Sequence, residues 1–74
     1  MPAERDPRLD PRPGDVVRKG RISRFVLERD GNRIDYAKRV GGVSRFSGSF
    51  GCWITTWQDW TRGATVLHVA EVQA

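Results

Sequence analysis

All three tryptophans of the 74-residue chain fall within eight positions, in Cys52-Trp53-Ile54-Thr55-Thr56-Trp57-Gln58-Asp59-Trp60-Thr61-Arg62-Gly63. No other stretch can bury as much apolar surface per residue, so the core is expected to be built against it. The alternatives are few. A chain this short makes one domain and buries a small fraction of its surface. Small domains often compensate with disulfides or a structural metal. With one cysteine and one histidine, an intrachain disulfide and a Cys/His zinc set are both closed. The core must come from Trp, Phe, Val, Ile and Leu, or from oligomerisation.

The tryptophan segment admits two arrangements. Trp53, Trp57 and Trp60 sit at i, i+4 and i+7, one helical face. Thr55 and Thr56 are β-branched and disfavour a helix interior, and Thr55 with Gln58 fits a capping box. This favours a short strand over 50–54 and a two-turn helix over 56–62, with Gly63 ending it.

Upstream, Pro2, Pro7, Pro11 and Pro13 alternate with charges of both signs, so residues 1–12 are expected to form a disordered tail. The single domain then runs over 13–74. Val16–Lys19 and 21–29 read as strands. Asp30-Gly31 is the strongest short hairpin signal, and its partner strand spans 32–40. With Asp30-Gly31 as the loop, Phe25, Leu27, Ile34 and Tyr36 share one face. Glu28, Arg33, Arg24, Val26, Asp35 and Arg39 share the other. Sliding the loop to Gly31-Asn32 opposes Glu28 and Asp35 and splits the apolar set, so the first register is preferred. Gly41-Gly42 marks a second turn before a strand over 43–47. A three-residue loop, Val40-Gly41-Gly42, would set Phe46 beside Tyr36. Residues 64–72 read as a last strand.

The expected fold is therefore mainly β: a small SH3-like barrel of about five short strands, with one short helix before the last strand. Gly14-Asp15-Val16-Val17-Arg18-Lys19-Gly20 resembles the first strand of such barrels, including KOW-type ribosomal and transcription modules. Asp10-Pro11-Arg12-Pro13-Gly14-Asp15-Val16, taken with Trp57-Gln58-Asp59-Trp60 and Gly63-Ala64, also resembles small uncharacterised proteins encoded by phages and prophages. That resemblance spans residues 10–67. It implies a genomic setting and carries no functional residues with it.

Net charge is +4, and its distribution is uneven. Residues 16–45 hold nine cations against Glu28, Asp30 and Asp35, whereas the flanking stretches are slightly acidic. Eleven of the thirteen cations are Arg, which suits bidentate contact with phosphate or carboxylate. Arg18, Lys19, Arg21, Arg24, Arg33, Arg39 and Arg45 are thus the candidate nucleic-acid-binding residues, with Arg24, Arg33 and Arg39 expected on one sheet face. The bland alternative is a solvated face whose charge Glu28 and Asp35 partly cancel. Trp53 and Trp60 are candidate partner or dimer surface, because so small a domain has little with which to cover three indoles.

Catalysis is not expected. A Cys52–His68 pair would need Cys52 to be reactive, yet it sits in an apolar run. Asp15, Asp30 and Asp59 each have a turn or helix-start role. Gly41-Gly42 lacks the Lys and helix of a phosphate loop. No metal or cofactor is expected, and no apolar run reaches the roughly 18 residues of a membrane span. A free thiol without an export signal fits the cytoplasm.

Overall fold

A computed structural model describes residues 5–41 and 45–70. Its strands are β1 (Val16–Lys19), β2 (Ile22–Asp30), β3 (Arg33–Val40), β4 (Ser47–Trp53) and β5 (Thr65–His68), with one helix, α1 (Ile54–Trp60), before β5. The five strands form one antiparallel sheet in the order β4-β3-β2-β1-β5. The fold class is the expected one: mainly β, with five short antiparallel strands in one sheet and a short helix joining the two edge strands. That helix packs on β3 and β4 and closes the inner face of the sheet.

The β2–β3 hairpin departs from the expected register. Its loop is Gly31-Asn32, with Asp30 opposite Arg33 and Glu28 opposite Asp35. A type I′ turn needs positive φ at both central residues, but only Gly31, at +59°, has it. Glycine in the first central position suits a type II′ turn instead. The tolerated cost is Glu28 beside Asp35. Both lie near the solvated tip, where Arg33 Nε stands 3.7 Å from the Asp35 carboxylate. Leu27 then bulges out of the ladder, and the body of the hairpin pairs Val26 with Tyr36, Phe25 with Ala37 and Arg24 with Lys38.

This one-residue shift exchanges the faces of β2. Val17, Val26, Ile34, Tyr36 and Trp57 form the core, with Cys52, Ile54, Trp60 and Val66 packed against it. Trp57 and Tyr36, edge to face at 5.6 Å, fill most of the interior. Small Val17 and Val26 complement them better than Phe25 and Leu27 would. Leu27 is exposed, and Phe25 moves to the outer face, 5.5 Å from Phe46. The position beside Tyr36 expected for Phe46 belongs to Phe50, which stacks there at 5.6 Å. The expected loop Val40-Gly41-Gly42 fails at its first residue, because Val40 belongs to β3. Gly42 and the start of the expected 43–47 strand lie outside the described residues, as do residues 71–72 of the expected last strand.

The tryptophan segment does divide into strand and helix, but two residues earlier than expected. Trp53 is the N-cap residue and makes no side-chain cap bond. The leading helical N–H, that of Ile54, instead donates to the Asn32 carbonyl at 2.6 Å. The Thr55–Gln58 capping box does not form. Gln58 Nε2 reaches the Leu9 carbonyl at 2.9 Å.

Residues 5–12 are not a disordered tail. They form a turn-rich strap across α1, with Pro7 and Pro11 fully buried. Proline brings no N–H that needs a partner, and the strap's free carbonyls serve as acceptors. Trp57 Nε1 donates to Pro7 O at 3.0 Å, and the Thr61 hydroxyl lies 3.0 Å from Arg8 O and 2.8 Å from Trp57 O. The strap is anchored by Asp15. Its fully buried carboxylate accepts both terminal nitrogens of Arg5 and the backbone N–H groups of Arg12 and Ala70, the last two at 2.7 Å. Residues 1–4 of the expected tail lie outside the described residues.

Candidate functional site

Ion pairing sorts the thirteen cations into two groups. Arg5, Arg8, Arg12, Arg29, Arg33 and Arg62 each meet a carboxylate. Among the described residues, Arg18, Lys19, Arg21, Arg24, Lys38, Arg39 and Arg45 meet none.

Strand register explains why these seven belong together. Arg18 pairs with Ser23, and Ser23 pairs with Arg39, so the two arginines flank one serine on the outer face. Lys19 and Arg21 lie at the adjoining β1–β2 turn. In the next row Arg24 pairs with Lys38 on the inner face, and Lys38 pairs with Ser47, two residues beyond Arg45. All seven thus gather at the end of the sheet formed by the β1–β2 turn and the β3–β4 connection. Glu28, Asp30 and Asp35 sit at the opposite end of the hairpin. From Ser23 to Glu28 is five residues of strand, roughly 15 Å, beyond the Debye length of about 10 Å in 0.1 M salt. They screen this end little.

Two aromatic rings lie among the cations. Arg39 stands over Phe46 at 4.5 Å and Lys38 over Phe50 at 4.6 Å. Phe46 is half-buried and Phe50 is 38% exposed. The end therefore offers both unpaired positive charge and partly open apolar rings. The sequence reading omitted Lys38, Phe46 and Phe50. Only the correct register could have found them.

One candidate leaves the expected face. Arg33 keeps it, but at the hairpin tip beside Asp35, away from the other unpaired cations. Arg24 is on the inner face, because the register shift reverses β2. Its guanidinium lies between Trp60, at 3.8 Å from the ring centroid, and Tyr36, at 4.3 Å. Burial lowers its pKa below the ordinary arginine value, but the group remains charged at neutral pH. Of the two partner-surface candidates, Trp53 is 63% exposed beside Arg33, whereas Trp60 is half-buried against Arg24.

The thiol and the imidazole do not meet. Cys52 is on β4 and His68 on β5, the two outermost strands of the sheet. Burial pushes the Cys52 thiol above its ordinary pKa, and nearby Asp35 adds to this while Arg24 opposes it. Alkylation of the folded protein at neutral pH is expected to be several-fold slower than after unfolding. Equal rates in the two states would show that Cys52 is open and ionisable. Among the described residues no group of three His, Cys, Asp or Glu is placed to hold a metal, and no helix is long and apolar enough to cross a membrane.

Comparison of the chain with protein-family models, curated proteins and solved structures returned no match.

Proposed function

We propose that this protein is a non-enzymatic nucleic-acid-binding module whose contact surface is the cationic end of the sheet. One observation carries the reading: the cations that lack carboxylate partners converge on one end, while the paired ones lie elsewhere. A solvated face that merely keeps the protein soluble has no need of this separation. Arg18, Lys19, Arg21, Lys38, Arg39 and Arg45 supply phosphate contacts, which give affinity without sequence preference. Phe46 and Phe50 supply apolar faces that favour unstacked bases, so single strands are the preferred class.

Two sets of substitutions with the same change in net charge test this. Replacing Arg18, Lys19 and Arg45 with Gln removes three unpaired cations. Binding to a single-stranded oligonucleotide is expected to weaken, with the slope of log K against log salt falling by about 2. Replacing Arg12, Arg33 and Arg62 with Gln removes three paired ones and is expected to leave the slope nearly unchanged. Equal losses in the two variants would reduce the effect to net charge and sink the site.

A second reading rests on a different surface. Trp53, 63% exposed, and Phe50 lie along β4, a sheet edge. Such an edge with a large exposed indole suits a protein partner or a second copy of the chain. A monomer at high concentration in which iodide fails to quench Trp53 would remove it.

A further inference from the structure

Arg24 is held in an unusual way for an exposed-end cation. Its guanidinium carbon lies 3.8 Å from the Trp60 ring centroid and 4.3 Å from that of Tyr36, with Trp57 further off at 5.8 Å. Its Nε is buried and has no hydrogen-bond partner. The two terminal nitrogens are neither buried in this way nor bonded to any described residue, so they reach solvent. Two rings crowd this group and its Nε is closed off, so what it offers a ligand is the pair of terminal nitrogens, a planar fork of N–H donors.

No described carboxylate neutralises it. Its cross-strand neighbour on the same face is Lys38, a second cation, itself positioned over Phe50. A half-buried charge beside a like charge is costly unless an anion joins them. An oxyanion on this row can accept two parallel bonds from the guanidinium fork and a third from the cross-strand lysine.

We propose that the edge of Arg24, together with Lys38, forms a phosphate-group site at the mouth between α1 and the sheet, bounded by Trp60 and Phe50. Where the phosphate is part of a nucleic-acid strand the site deepens the function proposed above and rests on it. Arg24, crowded by two rings, is then the contact that sets the register of the strand on the protein.

The test uses the full chain labelled with 15N and titrated with inorganic phosphate at constant ionic strength. Saturable shifts are expected at Arg24 Nε–H and at the Trp60 indole N–H. The Trp57 indole N–H, bonded to Pro7 O, should stay in place and report the fold. Arg24→Met should abolish the Trp60 response and weaken oligonucleotide binding about tenfold, the loss of one charge-assisted contact. If Arg24→Met loses the Trp57 signal, Arg24→Lys replaces it as the variant. Lys keeps the charge and lacks the fork, so the Trp60 response should again be lost. Absence of saturable shifts, or a Trp60 response that survives either folded variant, overturns the site. Shifts with inorganic phosphate but no oligonucleotide binding by the wild type would uphold the site and overturn only the nucleic-acid reading. Oligonucleotide binding that is unchanged in the variants would do the reverse.

Discussion

Trp57→Ala is expected to remove a large part of the protein's stability. Trp57 is fully buried among Val17, Val26, Ile34 and Tyr36, and its indole N–H holds the strap through Pro7 O. Truncating a buried tryptophan costs about 3–5 kcal/mol. A domain of this length has roughly 4–11 kcal/mol in total, taking about 0.05–0.15 kcal/mol per residue. In a chain this small, each 1 kcal/mol lowers Tm by about 4–8 °C, so a fall of at least about 12 °C is expected. Circular dichroism during heating measures it. Trp57→Phe keeps most of the apolar contact and loses the bond to Pro7 O, so its cost should be nearer about 1–2 kcal/mol. A Trp57→Ala protein that melts within a few degrees of wild type would mean that the core is not organised around this residue.

Asp15→Ala should be nearly as damaging, for a different reason. The Asp15 carboxylate is fully buried and joins three parts of the chain: Arg5 in the strap, the Arg12 N–H before β1 and the Ala70 N–H after β5. The bond from Arg5 to this carboxylate raises the pKa of Arg5. Without the carboxylate, a mostly buried guanidinium and two backbone donors are left unpaired. Breaking such a pair from one side costs about 3–5 kcal/mol. Arg5→Met should cost less, because the carboxylate keeps its two backbone donors. Denaturant melts of the two variants compare the costs. Equal losses would mean that the ion pair alone matters and that Asp15 does not tie the chain ends together.

The general form of this molecule was legible in the sequence because strand-forming runs and turn residues are local signals. Val16–Lys19, the β2–β3 hairpin and a helix just before the last strand follow from them. Trp57 as core followed from size alone. What could not be read was register. Asp30-Gly31 and Gly31-Asn32 are both acceptable loops one residue apart, and the choice between them depends on what the interior can hold. Trp57 and Tyr36 take that space, so β2 turns its valine inward and bulges at Leu27. The faces of Arg24, Phe25 and Val26 all follow from that one choice. The strap was missed for a related reason. Four prolines look like disorder when read alone, but Pro7 and Pro11 are buried, and α1, its C-cap Thr61 and Arg29 of β2 supply donors for the carbonyls of Pro7, Arg8, Leu9 and Pro11. No local signal in residues 5–12 announces those donors.

The cationic end was half legible. The excess of charge over 16–45 was visible as composition. Its concentration at one end depends on the row that places Arg18, Ser23 and Arg39 side by side. That row also moves Glu28 and Asp35 to the far end of the hairpin, where they do little to cancel it.

The most direct test of the account is the affinity of the wild-type protein for a single-stranded oligonucleotide across a range of salt concentrations. Binding through four to six phosphate contacts predicts a linear fall of log K with log salt, with a slope of about −3 to −4. Absence of binding at low salt, or an affinity that does not change with salt, would contradict it.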